Sequence, residues 1–244
     1  MDWHARYLQQ AGWTKELRSY LFQRAGADEA KNILEVGCGT GAVLKDVKGP
    51  ARLSGLDIDL AALQECAVNV PKAILTRGDV QHMPFSNQNF DLVFCHYFLI
   101  WIKKPDRAIL EMKRVTVHGG YILAFAEPDY SKREDGPGEL QKLGRLQTEA
   151  LIEQGANPSF GAKLTRLFAD CGIDVLEAGM IAKPDDNSKR STQDWMMEWK
   201  VLENDLEDRI PAEKLQELKK LDETAWQNRY RTLNIPTYFA WGRV

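Results

Sequence analysis

The sequence predicts an α/β fold built on a doubly wound, mostly parallel sheet, and three observations carry that prediction. Short apolar runs of strand character alternate with segments of helical period between residues 31 and 125, joined by brief loops, the pattern of a parallel sheet whose crossovers are helices. The first run, Ile33-Leu34-Glu35-Val36, leads into Gly37, Gly39 and Gly41 at alternate positions. Glycines there allow φ > 0 without steric cost and let the backbone approach a ligand closely. Beyond Glu127 the alternation loosens, yet the chain ends on one more strand-like run, Thr237 to Val244.

Residues 2–24 read as one or two helices, with Trp3, Tyr7 and Leu8 at helical spacing and Thr14 placed to cap a second helix bearing Leu17, Tyr20 and Leu21 on one face. Residues 31–36 form the first strand, and residues 40–48 read as a short helix stopped by Gly49-Pro50. A second strand, Arg52 to Asp57, precedes a helix from Leu60 to Val70 that Pro71 ends. The third strand, Ala73 to Thr76, closes at Gly78-Asp79; the fourth runs from Phe90 to Cys95. Asp106 to Val115 is helical, and Gly119-Gly120 turns into a fifth strand, Tyr121 to Phe125. After a charged loop from Ser131 to Gly138, helices are expected at 139–154 and 163–169, a strand at 173–180, a polar loop at 184–191, and helix throughout 192–235.

Composition excludes several classes. A chain of 244 residues with 44% apolar and 27% charged residues has an ordinary globular balance and is read as one domain with insertions. The longest apolar run, Leu92 to Ile102, is interrupted by Cys95 and His96 and is too short for a membrane span, which takes about 20 residues. The opening Met1-Asp2-Trp3-His4-Ala5-Arg6 is charged and unlike a secretory leader. Four dispersed cysteines without Cys-x-x-Cys spacing read as free thiols of a reducing, cytoplasmic compartment. Four scattered histidines suggest no metal site, and a net charge of −3 without a basic block gives no support to a nucleic-acid partner.

The glycine turn alone is ambiguous. Gly37, Gly39 and Ala42 fit the Gly-x-Gly-x-x-Gly/Ala bend of dinucleotide enzymes, which keeps a nicotinamide-dependent oxidoreductase open as an alternative. Asp57, twenty residues after Gly37, suits a ribose diol in either reading, because a carboxylate accepts two hydrogen bonds side by side. It also stands near the start of the helix at 60–70, although Asp59 is better placed as that helix's cap.

The surroundings of the turn resemble those of the class I S-adenosylmethionine-dependent methyltransferases, whose first motif is Glu/Asp-x-Gly-x-Gly-x-Gly; Glu35, Gly37, Gly39 and Gly41 match it position for position. Asp79, the segment Phe90-Asp-Leu-Val-Phe-Cys95, and Arg114-Val-Thr-Val-His-Gly-Gly120 lie at family-like spacing. In the last of these His118 stands where relatives commonly have proline. The resemblance covers residues 31–182 and 237–244. It implies a seven-stranded Rossmann-like sheet whose last strand is antiparallel and inserted beside the fifth. It also implies S-adenosylmethionine as cofactor, with Asp57 on the ribose, Asp79 and the Val80 N–H on the adenine, and Glu35, Gly37, Cys38, Gly39, Gly41, Ile58 and Cys95 completing the cofactor set; Met83 is a further candidate for the adenine wall. The expected division is a single domain over 1–244, with lid helices at 1–24, a cofactor-binding core at 25–182 and 236–244, and a helical insertion at 185–235.

Transfer of methyl from a sulfonium is an in-line displacement that needs positioning and exclusion of water more than activation. The sequence assigns no catalytic residue; His96, Tyr97, Glu127 and Asp129 at the strand ends are the candidates for a base, and Arg18 for a contact to the cofactor's carboxylate. The amino-methylating Asn/Asp-Pro-Pro-Tyr/Phe signature and a Pro-Cys nucleophile motif are absent from the sequence, which favours a small-molecule acceptor. A non-catalytic nucleoside-binding protein of the same fold is the third reading.

Overall fold

A computed structural model describes residues 1–181 and 191–244. Nine strands appear among them: β1 (Asn32–Val36), β2 (Arg52–Asp57), β3 (Ile74–Arg77), β4 (Phe90–Cys95), β5 (Thr116–Pro128), β6 (Glu134–Gly136), β7 (Asp174–Ile181), β8 (Thr232–Asn234) and β9 (Thr237–Arg243). Eight α-helices accompany them: α1 (Trp3–Trp13), α2 (Lys15–Arg24), α3 (Leu60–Asn69), α4 (Pro105–Val115), α5 (Gln141–Glu153), α6 (Leu164–Asp170), α7 (Thr192–Leu206) and α8 (Ala212–Gln227).

Seven strands form one sheet in the order β3-β2-β1-β4-β5-β9-β7. The pairings from β3 through to β5 are parallel, and β9 runs antiparallel between β5 and β7, as the resemblance implied. Parallel strands buried on both faces read as continuous apolar runs; accordingly Ile33, Leu34 and Val36 of β1 and Leu92, Val93 and Phe94 of β4 are all fully buried. One face packs α4 and α6 through Ile109, Met112, Leu164 and Phe168; the other packs α2 and α3 through Leu21, Phe22, Leu63 and Cys66. A separate cluster joins α5, α7 and α8 through Leu143, Trp199, Leu202 and Leu218. The strand order reverses between β1 and β4, so the crevice outside their carboxyl ends is the switch point where such sheets receive ligands.

Several elements differ from the sequence expectation. The helix predicted over 40–48 is a single 3-10 turn, Leu44–Asp46. Gly37, Gly39 and Gly41 hold φ of +68°, +48° and +80°, which no right-handed helix accommodates, and Gly49-Pro50 follows too soon for a helix to develop. The segment 192–235 is two helices and a strand: β8 pairs antiparallel with β6, which lies in the loop expected over 131–138. Arg133, Asp135, Asp222 and Arg231, whose side chains are all buried, link that ribbon to α8 through ion pairs. Thr14 gives α2 no side-chain cap; its hydroxyl bonds Ala11 O and His96 instead. Of the polar loop at 184–191, only Ser191 lies within the described residues, where it caps α7 in a capping box with Asp194. Among the described residues no helix is long and apolar enough to cross a membrane.

Candidate active site

β1, β2 and β3 deliver their C-terminal ends to one cavity of about 650 Å³, lined on that side by Glu35, Gly37, Cys38, Gly39, Asp57, Ile58 and Asp79. The bend after β1 is tied to β2, for Gly37 N and Cys38 N both donate to Leu56 O, at 2.8 and 3.1 Å. Gly37 meets Phe98 so closely that a Cβ there would fall 2.0 Å from the ring, and a Cβ on Gly39 would touch Tyr7 at 3.4 Å. Glycine is thus required at Gly37 by both conformation and contact.

The three acids differ in state. Glu35 is 2% exposed, receives a hydrogen bond from the Leu44 backbone, and leaves Oε2 buried without a partner. Burial pushes its carboxyl well above the usual range, and Arg18 opposes that shift. Asp57 accepts from Gly39 N through Oδ2 at 2.7 Å and from Asp59 N through Oδ1 at 3.0 Å, so each oxygen keeps an acceptor site. Asp79 accepts from Gln81 N at 2.8 Å, capping a short 3-10 turn.

Other expected members of the set lie elsewhere. Cys95 is fully buried in the core with its thiol toward Glu127; a strand covered on both faces sends alternate residues into each layer, and this one points away from the cavity. Val80 buries its side chain in the core, which leaves its expected role through the backbone N–H untouched. Gly41 faces α3, where a Cβ would lie 2.8 Å from Cys66 Sγ and Val70 Cγ2. Met83 is a core residue, whereas Ile58 is 66% exposed at the cavity mouth. Arg18 is buried against Asp46 at 2.6 Å and bonded to Ala11 O and Thr14 Oγ1, and so is committed to holding α1, α2 and the bend together.

The four candidate bases separate in the same way. Glu127 accepts from the backbone N–H groups of Phe98, Leu99 and Ile100 at 3.0–3.1 Å. Burial raises its pKa to about 7, and it caps the turn that carries Phe98. Asp129 caps the turn at Tyr130–Lys132 through Ser131. Neither lines the cavity; His96 and Tyr97 do. His96 bonds Thr14 Oγ1 at 2.9 Å, and burial, with Arg18 nearby, holds its pKa well below the usual imidazole value.

The far wall comes in part from the segments expected outside the core, 1–24 and 185–235, but its individual residues and the share of α5 were not read from the sequence. α1 contributes Trp3, Arg6, Tyr7 and Gln10; the loop after β4 gives Phe98 and Ile100–Lys103; α5 with its C-cap Gln154, and α7, add Gln147, Leu151, Val201 and Asp205. The signal was there in part, because Trp3 and Tyr7 recur at one helical turn. Periodicity alone does not say whether such a face meets core or cavity.

Together, the reversed strand order, the antiparallel β9 and the acid-tipped strands around a glycine bend define a class I methyltransferase fold. Residues 34–124 match the methyltransferase-domain family model. Relatives include a malonyl-[acyl-carrier protein] O-methyltransferase of Erwinia pyrifoliae, 27% identical over 67% of this chain and 66% of its own length. A fatty-acid O-methyltransferase of Mycolicibacterium smegmatis is 35% identical over 58% of this chain and 55% of its own. The chain thus spans less than two thirds of the length of either curated relative. Among solved structures, a phosphoethanolamine N-methyltransferase of Haemonchus contortus, crystallised with S-adenosylhomocysteine, shares the fold with a TM-score of 0.56 at 15% identity, covering 87% of this chain and 48% of that one. The chain therefore has the class I methyltransferase fold and is similar to a methyltransferase domain over residues 34–124.

Proposed function

We propose that this protein binds S-adenosylmethionine and transfers its methyl group to a small-molecule acceptor. The observation that carries the reading is the convergence of Glu35, Asp57 and Asp79, from three adjacent strands, on one cavity over the Gly37–Gly39 bend. The residues fit such a ligand. The unpartnered Glu35 Oε2 suits a cationic or hydroxyl donor, since a buried acceptor left unpaired is costly. Asp57 keeps one acceptor site on each oxygen, the requirement for two vicinal ribose hydroxyls, and Asp79 is left for the adenine amine. Bound there, the ligand would supply a methyl group already activated as a sulfonium. The chain's share is to orient both partners and shut out water, with residues 1–24 and 185–235 as lid and residues 25–182 and 236–244 as cofactor-binding core. The names of the relatives support a small organic acceptor.

One observation weakens the dinucleotide alternative. A pyrophosphate is held at a helix N-terminus, and here the bend leads only into the 3-10 turn Leu44–Asp46. Calorimetry with S-adenosylhomocysteine tests the proposal: binding in the micromolar range is expected, and Asp57→Ala weakens it about tenfold to a hundredfold, the worth of a charge-assisted pair of hydrogen bonds. Silence at millimolar ligand would overturn the reading. Binding without transfer to any acceptor in a broad screen would instead leave a non-catalytic nucleoside-binding protein.

A further inference from the structure

We infer that the acceptor presents a carboxylate, received by Arg6, Tyr97 and Tyr130 where the main cavity passes into a smaller annex. The inference rests on the methyl-transfer reading and names the acceptor class for that same site. The annex, about 60 Å³, shares Arg6, Tyr97 and Tyr130 with the main cavity. All three carry donors, a guanidinium fork and two phenols, with the Tyr97 phenol hydrogen-bonded to the Thr237 side chain. Arg6 is 8% exposed, donates to the side-chain carbonyl of Gln9, and lies 4.9 Å from the Trp13 ring centre; neither partner cancels its charge. Burial holds both phenols above their usual range, so they remain O–H donors at neutral pH.

The backbone marks the same spot. Tyr97 sits at φ +51°, with its N–H fixed to Ala126 O at 2.9 Å. An aromatic residue in the left-handed region is uncommon, and such strain gathers at functional sites. Glu198 and Asp205 line these chambers, and their charges also act on Tyr130. Arg133 is paired with Asp135, the Glu198 charge acts on Arg133, and Asp205 accepts from the amides of Gln147 and Gln154.

Glu198 and Asp205 line the two chambers, but neither Glu127 nor His96 is placed to act as a base here, Glu127 lying outside the cavity and the His96 ring being bonded to Thr14 Oγ1. An alcohol or an ammonium would need one. A carboxylate brings its own anionic oxygen: the new O–CH3 bond forms as the donor's S–CH3 bond breaks, the electron pair goes to sulfur, and no proton leaves the acceptor. The product is a methyl ester.

The test offers butanoate, octanoate and benzoate, each beside its alcohol and amine counterpart, with methyl-labelled donor. Calorimetry of the same acids on the S-adenosylhomocysteine complex supplies a readout independent of turnover. Label is expected only from an acid, in a form released as methanol by mild alkali. Arg6→Gln is expected to weaken that acid about tenfold to a hundredfold with little change for S-adenosylhomocysteine, and Arg6→Lys to recover part of the loss. Tyr97→Phe, which keeps the ring and removes the donor, serves if Arg6→Gln does not fold. Alkali-stable label, an affinity indifferent to both changes, or no acid bound by a protein that does bind S-adenosylhomocysteine would each overturn the inference. Failure to bind S-adenosylhomocysteine would overturn the reading beneath it.

Discussion

Glu127 shows how a chemically suggestive residue can serve the backbone. Its carboxylate collects three N–H groups from the turn after β4, and that turn sets Phe98 on Gly37. Burial raises its pKa from the usual 4.5 to about 7, so the protonated form is favoured in the folded state. Its contribution is full below the unfolded pKa and is lost as pH rises through about 7. Relative to Glu127→Gln, the wild type should therefore lose on the order of 3 kcal/mol between those limits, read as diverging melting temperatures across a pH series. Gly37→Ala makes a second prediction, since it forces a Cβ into the Phe98 ring at φ +68°. We expect a loss of about 2–4 kcal/mol and weakened S-adenosylhomocysteine binding, measured by denaturant unfolding and calorimetry. Gly37, Asp57 and Asp79 were legible because they sit where strands end, and strand ends announce themselves by glycine and acid after an apolar run. Cys95 was not, because β4 is buried on both faces and its sequence carries no alternation to say which way a side chain points.

Among the elements, the insertion is held by charge more than by periodicity. Asp222 on α8 accepts from the indoles of Trp195 and Trp199 at 2.6 and 2.7 Å and pairs with Arg231, which also reaches Asp135. Asp222→Ala leaves a buried guanidinium and two indole N–H groups short of a partner. It should cost about 3–5 kcal/mol, seen in denaturant unfolding as early loss of the α7–α8 region. That clasp explains why β6 and β8 escaped the sequence. Strands of three residues have no period to detect, and their pairing depends on buried ions brought from distant segments. The helices α3, α4, α5 and α6 were legible from spacing and from stops such as Pro71 and Cys171-Gly172. The helix expected after the glycine bend failed for a local reason, three left-handed residues in five.

At the level of the whole molecule, the class of fold could be read from β/α alternation, whereas the shape of the cavity could not, because its outer wall comes from α1, α5 and α7, joined to the sheet only in three dimensions. This division predicts a gradient of protection in hydrogen exchange. Amides of β1, β4 and β5 should exchange last, those of α1 and α7 early, and S-adenosylhomocysteine should slow residues 37–44 together with α1. The geometry of α1 carries a consequence for timing. His4 bonds Thr40 at 2.7 Å, Tyr7 covers Gly39, and Gln9 reaches Asp194 on α7 at 2.9 Å. One helix is therefore the party wall between two tenants. Cutting one of its anchors, as in Gln9→Ala, is expected to speed the release of S-adenosylhomocysteine as well, read as a faster dissociation rate.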